Sequence, residues 1–170
     1  MQRREGEHPF GDMGQLICLA LFLAVWIGDS FFLRVSTFLS DVVPVYIRIV
    51  VLAASLVLAA CLGGSGHRVV DPDRRTAGVV KTGAFRYVRH PLYLASILAF
   101  LGVALATASL LSLATCGGIA VFYDYIASYE EKLLLEKCGE EYSAYRRETG
   151  KWLPKIRRAV RDAKTRKPTG

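Results

Sequence analysis

The stretch PLYLASILAFLGVALATASLLSLATCGGIAVFY, Pro91 to Tyr123, contains no Asp, Glu, Lys or Arg. As a single helix at about 1.5 Å per residue it would extend roughly 50 Å, well beyond a hydrocarbon core of about 30 Å. It therefore reads as two apolar helices in a hairpin, turning somewhere in Thr107 to Ser112, with the second running from about Leu113 to Ala127. Two further apolar segments precede it. Gln15 to Leu33 is interrupted only by Gln15, Asp29 and Ser30, and Val42 to Leu62 only by Arg48 and Ser55. The expected fold class is all-α: an integral membrane helical bundle of about four transmembrane helices, the last two forming the hairpin, followed by C-terminal cytoplasmic amphipathic helices. Bulk composition alone does not decide this, because soluble domains also approach half apolar residues. The 52% hydrophobic content decides through its segregation into long runs.

Charge gives the orientation. An even number of spans puts the N-terminus, the loop of residues 64–90 and the C-terminal segment on one side, which then holds 20 of the 22 Lys and Arg. By the positive-inside rule that side is cytoplasmic, so the protein is expected to be multi-pass with both termini in the cytoplasm. The formal charge of +7 then suits anionic lipid headgroups. No base-reading motif accompanies it, so nucleic acid is not an expected partner, and no obligate protein partner is evident. Arg3-Arg4 resembles a signal-peptide start, but FFLRVSTFLSD follows the first span without a small-x-small site, and an uncleaved anchor is expected.

Local features set further expectations. Asp29 reads as an interfacial or helix-facing polar group, and Arg48 as a snorkelling side chain or a partner of Asp41 or Asp29. Pro44 suits a first helical turn, and Cys61-Leu-Gly-Gly-Ser-Gly reads as a glycine-rich stop for the second span. Cys18, Cys61, Cys116 and Cys138 form no Cys-x-x-Cys, and no His has metal-ligand spacing, so neither a disulfide framework nor a metal site is expected. Asp71-Pro-Asp-Arg-Arg75 favours turns. Gly117-Gly118 would let helices approach closely. Leu133, Leu134 and Leu135 among charges suit an amphipathic continuation. Gly139 would bend it, and Tyr142, Tyr145, Trp152 and Leu153 would dock a second short helix. The basic tail from Lys155 reads as lipid-attracted.

Just before the uncharged run, KTGAFRYVRHPLY (Lys81 to Tyr93) gathers Arg86, Arg89, His90, Phe85, Tyr87 and Tyr93. Pro91 suits the first turn of a helix with His90 near its N-cap, so exposed amides and a positive dipole end lie there. An interfacial belt of aromatics and Arg explains the same residues without a ligand. Glu130 and Glu131 likewise read as either a solvated charge pair or functional carboxylates.

The pattern Val79-Val-Lys-Thr-Gly-Ala-Phe-Arg-Tyr-Val-Arg-His-Pro-Leu-Tyr93, then Glu130-Glu131-x-x-Leu134, then Gly139-x-Glu141-Tyr142-x-x-Tyr145 and Pro154, resembles the isoprenylcysteine carboxyl methyltransferase family, related to the membrane phospholipid N-methyltransferases. The resemblance covers about residues 67–156. It implies methyl transfer from S-adenosylmethionine, with the cofactor entering from the cytoplasm and a lipophilic methyl acceptor entering from the bilayer. It also implies cofactor contacts at Ala77, Gly78, Val79, Val80, Phe85, His90, Pro91, Leu92, Tyr93 and Glu130. A carboxylate accepts from ribose hydroxyls or an amine, and aromatic faces suit a sulfonium cation. Phe85 stands where the family usually has Tyr, and Ala84 where it often has Pro.

Ile126 stands where the prenylcysteine enzymes carry an Arg implicated in holding the acceptor carboxylate, so the acceptor is left open between an isoprenylcysteine-like acid, a phospholipid amine and another small lipid. For an amine acceptor, Glu131 or Tyr93 would assist proton removal. Outside this class, a sterol-reductase-like enzyme using NADPH and a non-catalytic membrane anchor also satisfy the spans. The expected organisation is an arm with two spans over 1–63, a cofactor-binding core over 64–156, and a basic tail over 157–170.

Overall fold

The structure, a computed structural model, describes residues 11–70 and 79–155. Expectations for residues 1–10, for Asp71-Pro-Asp-Arg-Arg75, for Ala77 and Gly78, and for the tail from residue 156 fall outside the described residues. Four helices carry the fold: α1, Gly11–Ile27; α2, Val45–Val70; α3, Pro91–Thr107; and α4, Leu110–Glu148. A π-helical turn, Gly28–Leu33, extends α1, and short 3-10 turns occupy Phe38–Asp41 and Gly83–Arg86. Among the described residues every named element is helical, as the sequence predicts.

Among the described residues three stretches are long and apolar enough to cross a membrane: Met13–Leu33, Val45–Gly66 and Leu110–Glu148, the last with its apolar part at the N-terminal end and its charged residues, Glu130 and Glu131 among them, beyond it. The apolar helix α3 has 17 residues, about 25 Å at the α-helical rise. Leu16, Ile17, Leu21, Val50 and Val57 are all exposed. Apolar surface of that extent is what lipid covers.

The hairpin turns within the expected interval. Ala108 adopts a left-handed conformation at φ 53°, ending α3, and its N–H donates to the carbonyls of Ala104 and Leu105. Ser109 then caps α4 by accepting from the Ser112 N–H, a neutral solution to the open amides of a helix start. Asp29 lies beside this turn, 1% exposed. Its carboxylate accepts from the Ser36 N–H and hydroxyl and from the Ser109 hydroxyl. Ser36 in turn accepts from the Leu110 and Leu111 amides. The negative charge thus sits at the positive end of α4. That accounts for a buried acid next to apolar spans and matches the helix-facing reading.

Three expectations need correction. Arg48 pairs with neither Asp29 nor Asp41; it donates to the carbonyl of Ala106, 3.1 Å away. The last carbonyls of α3 have no intrahelical donors, so a cation there satisfies both their hydrogen bonding and the dipole. The glycines after Cys61 do not stop α2, which continues to Val70. They serve close packing instead: a Cβ on Gly66 would lie 2.8 Å from Leu92 Cδ2, and one on Gly63 would lie 3.7 Å from Ala95 Cβ. Gly117 and Gly118, by contrast, face open space. Their expected role falls to Gly102, where a Cβ would come within 2.6 Å of Ser55 Cβ.

Phe22 and Phe100 stack at 4.5 Å between α1 and α3. With Cys18, Ala104, Cys116, Ile119, Tyr123, Ile126 and Ala127 they form the core. On α4 the buried positions Cys116, Ile119, Tyr123, Ile126 and Ala127 recur every three to four residues, and Glu131 continues the stripe past the apolar part. Gly139 breaks the helical path at φ 50°, ψ −119°. This is the expected bend, in a region only glycine enters without strain. The chain then returns with Tyr142 and Tyr145 buried.

Candidate functional site

The site forms where α3 begins. His90 occupies the N-cap position and Pro91 the first turn, both buried. Proline fits here because its missing N–H would have no intrahelical partner. His90 and Tyr93, three residues apart, share a face and stack at 5.8 Å. Glu130 and Glu131 arrive from α4. Beyond Gly139 the chain comes back to cover them: Val88 and Gly150 form an isolated parallel bridge, and the Arg89 N–H donates to the Gly150 carbonyl at 2.9 Å. Gly150 tolerates no side chain, since a Cβ would sit 1.8 Å from the Leu153 carbonyl oxygen.

Arg89 and Glu131 form the centre, each side chain 8% exposed. Arg89 Nε donates to Glu131 Oε1 at 2.8 Å and a terminal nitrogen to Oε2 at 3.3 Å, a forked pairing that suits a planar guanidinium. The other terminal nitrogen donates to the carbonyls of Thr149, at 2.5 Å, and Arg146, at 3.3 Å. His90 Nε2 lies 3.2 Å from the same Glu131 Oε1. Burial raises the pKa of Glu131, but the hydrogen bonds from His90 and Arg89 and their charges outweigh it and hold the carboxyl down at about 2.

Glu130 faces the other side of the imidazole. Its Oε1 accepts from the Tyr93 hydroxyl at 2.8 Å, and its Oε2 lies 3.7 Å from His90 Nδ1. Each ring nitrogen of His90 therefore addresses a different carboxylate. The aromatic walls are Tyr93, whose ring is 5.0 Å from Tyr123, and Trp152, 5.9 Å from His90. Trp152 is held by its indole N–H donating to Asp124 Oδ1 at 2.8 Å, and Lys151 Nζ donates to the same oxygen and to the Ser128 hydroxyl. The Tyr142 hydroxyl is buried without a hydrogen-bond partner, within the electrostatic reach of Glu131. Lys81 and Glu141 pair at 2.8 Å on the surface, where solvent leaves such a pair worth little.

Of the residues expected to hold a cofactor, His90, Tyr93 and Glu130 come together in one cluster. Pro91 and Leu92 lie beside it in sequence but pack against Gly66 of α2. Phe85 is half-buried in its 3-10 turn, and its carbonyl accepts from the Tyr145 hydroxyl at 2.6 Å. Val79 and Val80 are half-buried on the approach to that turn. Arg89, Asp124 and Trp152 are members that sequence reasoning did not assign to the site. The signals were there: Arg89 is the only cation directly flanking His90, and Glu131 falls on the buried stripe of α4.

A scan against protein families matches the phospholipid methyltransferase model over residues 42–141. A search of curated proteins finds no match. The match spans more than half of the chain and includes α2, the Arg89-His90-Pro91-x-Tyr93 segment and Glu130-Glu131. This helical chain, with three candidate membrane spans and its buried Arg-His-Glu cluster, belongs to the phospholipid methyltransferase family of membrane enzymes.

Proposed function

We propose that the protein transfers a methyl group from S-adenosylmethionine to a lipophilic acceptor taken from the bilayer, an isoprenylcysteine-carboxylate-like or other small lipid. The observation that carries this reading is the Glu130 carboxylate, held by the Tyr93 hydroxyl against the stacked faces of His90 and Tyr93. Carboxylate and aromatic faces together fit a sulfonium cation that also bears amino and hydroxyl donors. The orphaned Tyr142 hydroxyl is a further group suited to a polar ligand. Ala77, Gly78, Val79, Val80, Phe85, His90, Pro91, Leu92, Tyr93 and Glu130 are the proposed cofactor contacts. Pro91 and Leu92, turned to α2, would contribute backbone rather than side chains.

When bound, the cofactor supplies an activated methyl group, so the protein's task is positioning and exclusion of water. Arg89 and Glu131 fix the His90 ring; Trp152 and the 149–153 segment close its outer side. The basic face, and with it both termini, is proposed to be cytoplasmic.

A second reading, a phospholipid amine as acceptor, is favoured by Ile126. It is 2% exposed in the core, so no cation stands there to hold an acceptor carboxylate. In that case Glu131, locked by Arg89 and His90, is a poor proton acceptor, and Glu130 or Tyr93 is better placed.

Calorimetry on purified protein in detergent tests the proposal directly. S-adenosylmethionine and its demethylated product are expected to bind, and NADPH is not. Binding of NADPH alone would favour the reductase class, and binding of none of the three would leave a membrane anchor. Mass spectrometry of lipids from membranes incubated with labelled S-adenosylmethionine then identifies the acceptor.

A further inference from the structure

The two ends of the 149–153 segment, which follows the residues matched to the family, are fastened differently. Its start is anchored in the buried cluster. Thr149 is fully buried, its N–H donates to the Tyr145 carbonyl at 2.9 Å, and the carbonyls of Thr149 and Gly150 accept from Arg89. Its far end is held from the surface of α4. The Trp152 indole and the Lys151 ammonium donate to one oxygen of Asp124, whose side chain is 52% exposed. Lys151 has two more acceptors, the Asp124 carbonyl and the Ser128 hydroxyl, but the indole N–H has Asp124 alone. Solvent competes for polar contacts this exposed, so each is weak. Leu153, next in the chain, is exposed.

We propose that residues 149–153 are a strap that lifts to admit the cofactor, and that Asp124 is its latch, a positioning residue acting through Trp152. This deepens the methyl-transfer reading and rests on it. The need for movement comes from burial. The side chains of His90 and Glu130 are 7% and 13% exposed, too little for a nucleoside-sized ligand to touch both unless part of their cover shifts. Tyr93 is a fixed part of that cover, since it lies in α3, packs on Tyr123 and belongs to the core. Trp152, 5.9 Å from His90, is the loosely attached part. Lifting it breaks a contact to an exposed carboxylate and leaves the Arg89 bonds to Thr149, Gly150 and Glu131 in place. Covers that open for ligands are drawn from the weakly held parts of a fold. The latch touches the strap and not the ligand, so it acts with the cofactor bound or absent. Weakening it therefore changes entry and exit by the same factor and leaves affinity nearly constant.

The test uses the full chain in lipid nanodiscs. The chain has two tryptophans, so Trp26→Phe makes Trp152 the sole emitter. In that background, without any ligand, Asp124→Ala should make Trp152 several-fold more open to quenching by acrylamide. Amide exchange at Arg89 and Thr149, read by mass spectrometry, should stay at the wild-type rate. Stopped-flow mixing with S-adenosylhomocysteine, which cannot turn over, should show association and dissociation each about tenfold faster, the effect of one lost hydrogen bond to a charged group. Their ratio should stay close to the wild-type value. Asp124→Asn retains the acceptor oxygen and should fall between the two. Unchanged quenching, an unchanged association rate, or faster exchange at Thr149 together with Trp152 exposure would each overturn the proposal, the last because the segment would then detach whole. If S-adenosylhomocysteine and S-adenosylmethionine both fail to bind the wild type, the methyl-transfer reading falls instead, and the quenching still decides whether Asp124 holds the strap down.

Discussion

Asp29 and Glu131 are both buried carboxylates, one at each end of the bundle, and the fold treats them differently. Asp29 is satisfied by two hydroxyls and a backbone amide at the hairpin turn, and among the described residues no cation pairs with it. Glu131 is met by Arg89, His90 and, at 3.6 Å, Arg146, with Tyr93, Trp152 and Glu130 close behind. A turn needs a helix cap and little more, and the Asp29 cluster supplies that. The Glu131 cluster holds more charge and aromatic surface than joining α3 to α4 requires. Burying so many charges is expensive, so such a cluster marks a functional site more often than a structural one.

The largest effect expected is at the Glu131 end. Arg89→Leu leaves a buried carboxylate without its forked partner, and breaking such a pair costs about 3–5 kcal/mol. Unfolding in detergent should show that loss together with loss of cofactor binding. A loss below about 1 kcal/mol would mean that solvent reaches Glu131 and the contrast with Asp29 is false.

Acid titration sharpens the comparison next. Glu131 is depressed from 4.5 to about 2, so its contribution is fully present above pH 4.5 and is lost as pH falls towards 2. The shift corresponds to about 3 kcal/mol. The melting temperature of the wild type should fall more steeply across that window than that of Glu131→Gln. Parallel curves would remove Glu131 as the acid-sensitive group.

Asp29→Asn should be milder. The amide still accepts from the Ser36 N–H, and the lost charge-assisted bonds cost about 1–2 kcal/mol. Cofactor affinity should not change, and a change would join the two ends functionally. The smallest stability effect belongs to Glu130→Gln, which still accepts from Tyr93. It should cost under about 1 kcal/mol of stability yet weaken S-adenosylmethionine binding about tenfold.

The span pattern was legible because long uncharged runs have few folded solutions. The hairpin was legible because 33 residues cannot span once. Gly139 was legible because a helix rarely tolerates it mid-length. The glycines of α2 were misread because packing overrode propensity: a glycine-rich run looks like a stop until another helix lies on it, and Pro91 and Leu92 do. Arg48 was misassigned because a lone basic residue is naturally matched to the nearest acids, whereas carbonyls at a helix end are invisible in side-chain patterns. Within the site, His90, Tyr93 and Glu130 were found through a family resemblance. Arg89 and the strand-like return at Gly150 were not, since a contact between residues 89 and 150 leaves no periodic trace.

The grip of Arg89 on the 146–150 backbone has a consequence in time. Residues 89 and 131 are synthesised well before the carbonyls of Thr149 and Gly150 that complete their surroundings. Until they emerge, the Arg89–Glu131 pair is open on one side and His90 lacks Trp152. The site is therefore closed by a late-made part of the chain, so a chain cut short before Thr149 would lack the contacts that cover Arg89 and His90.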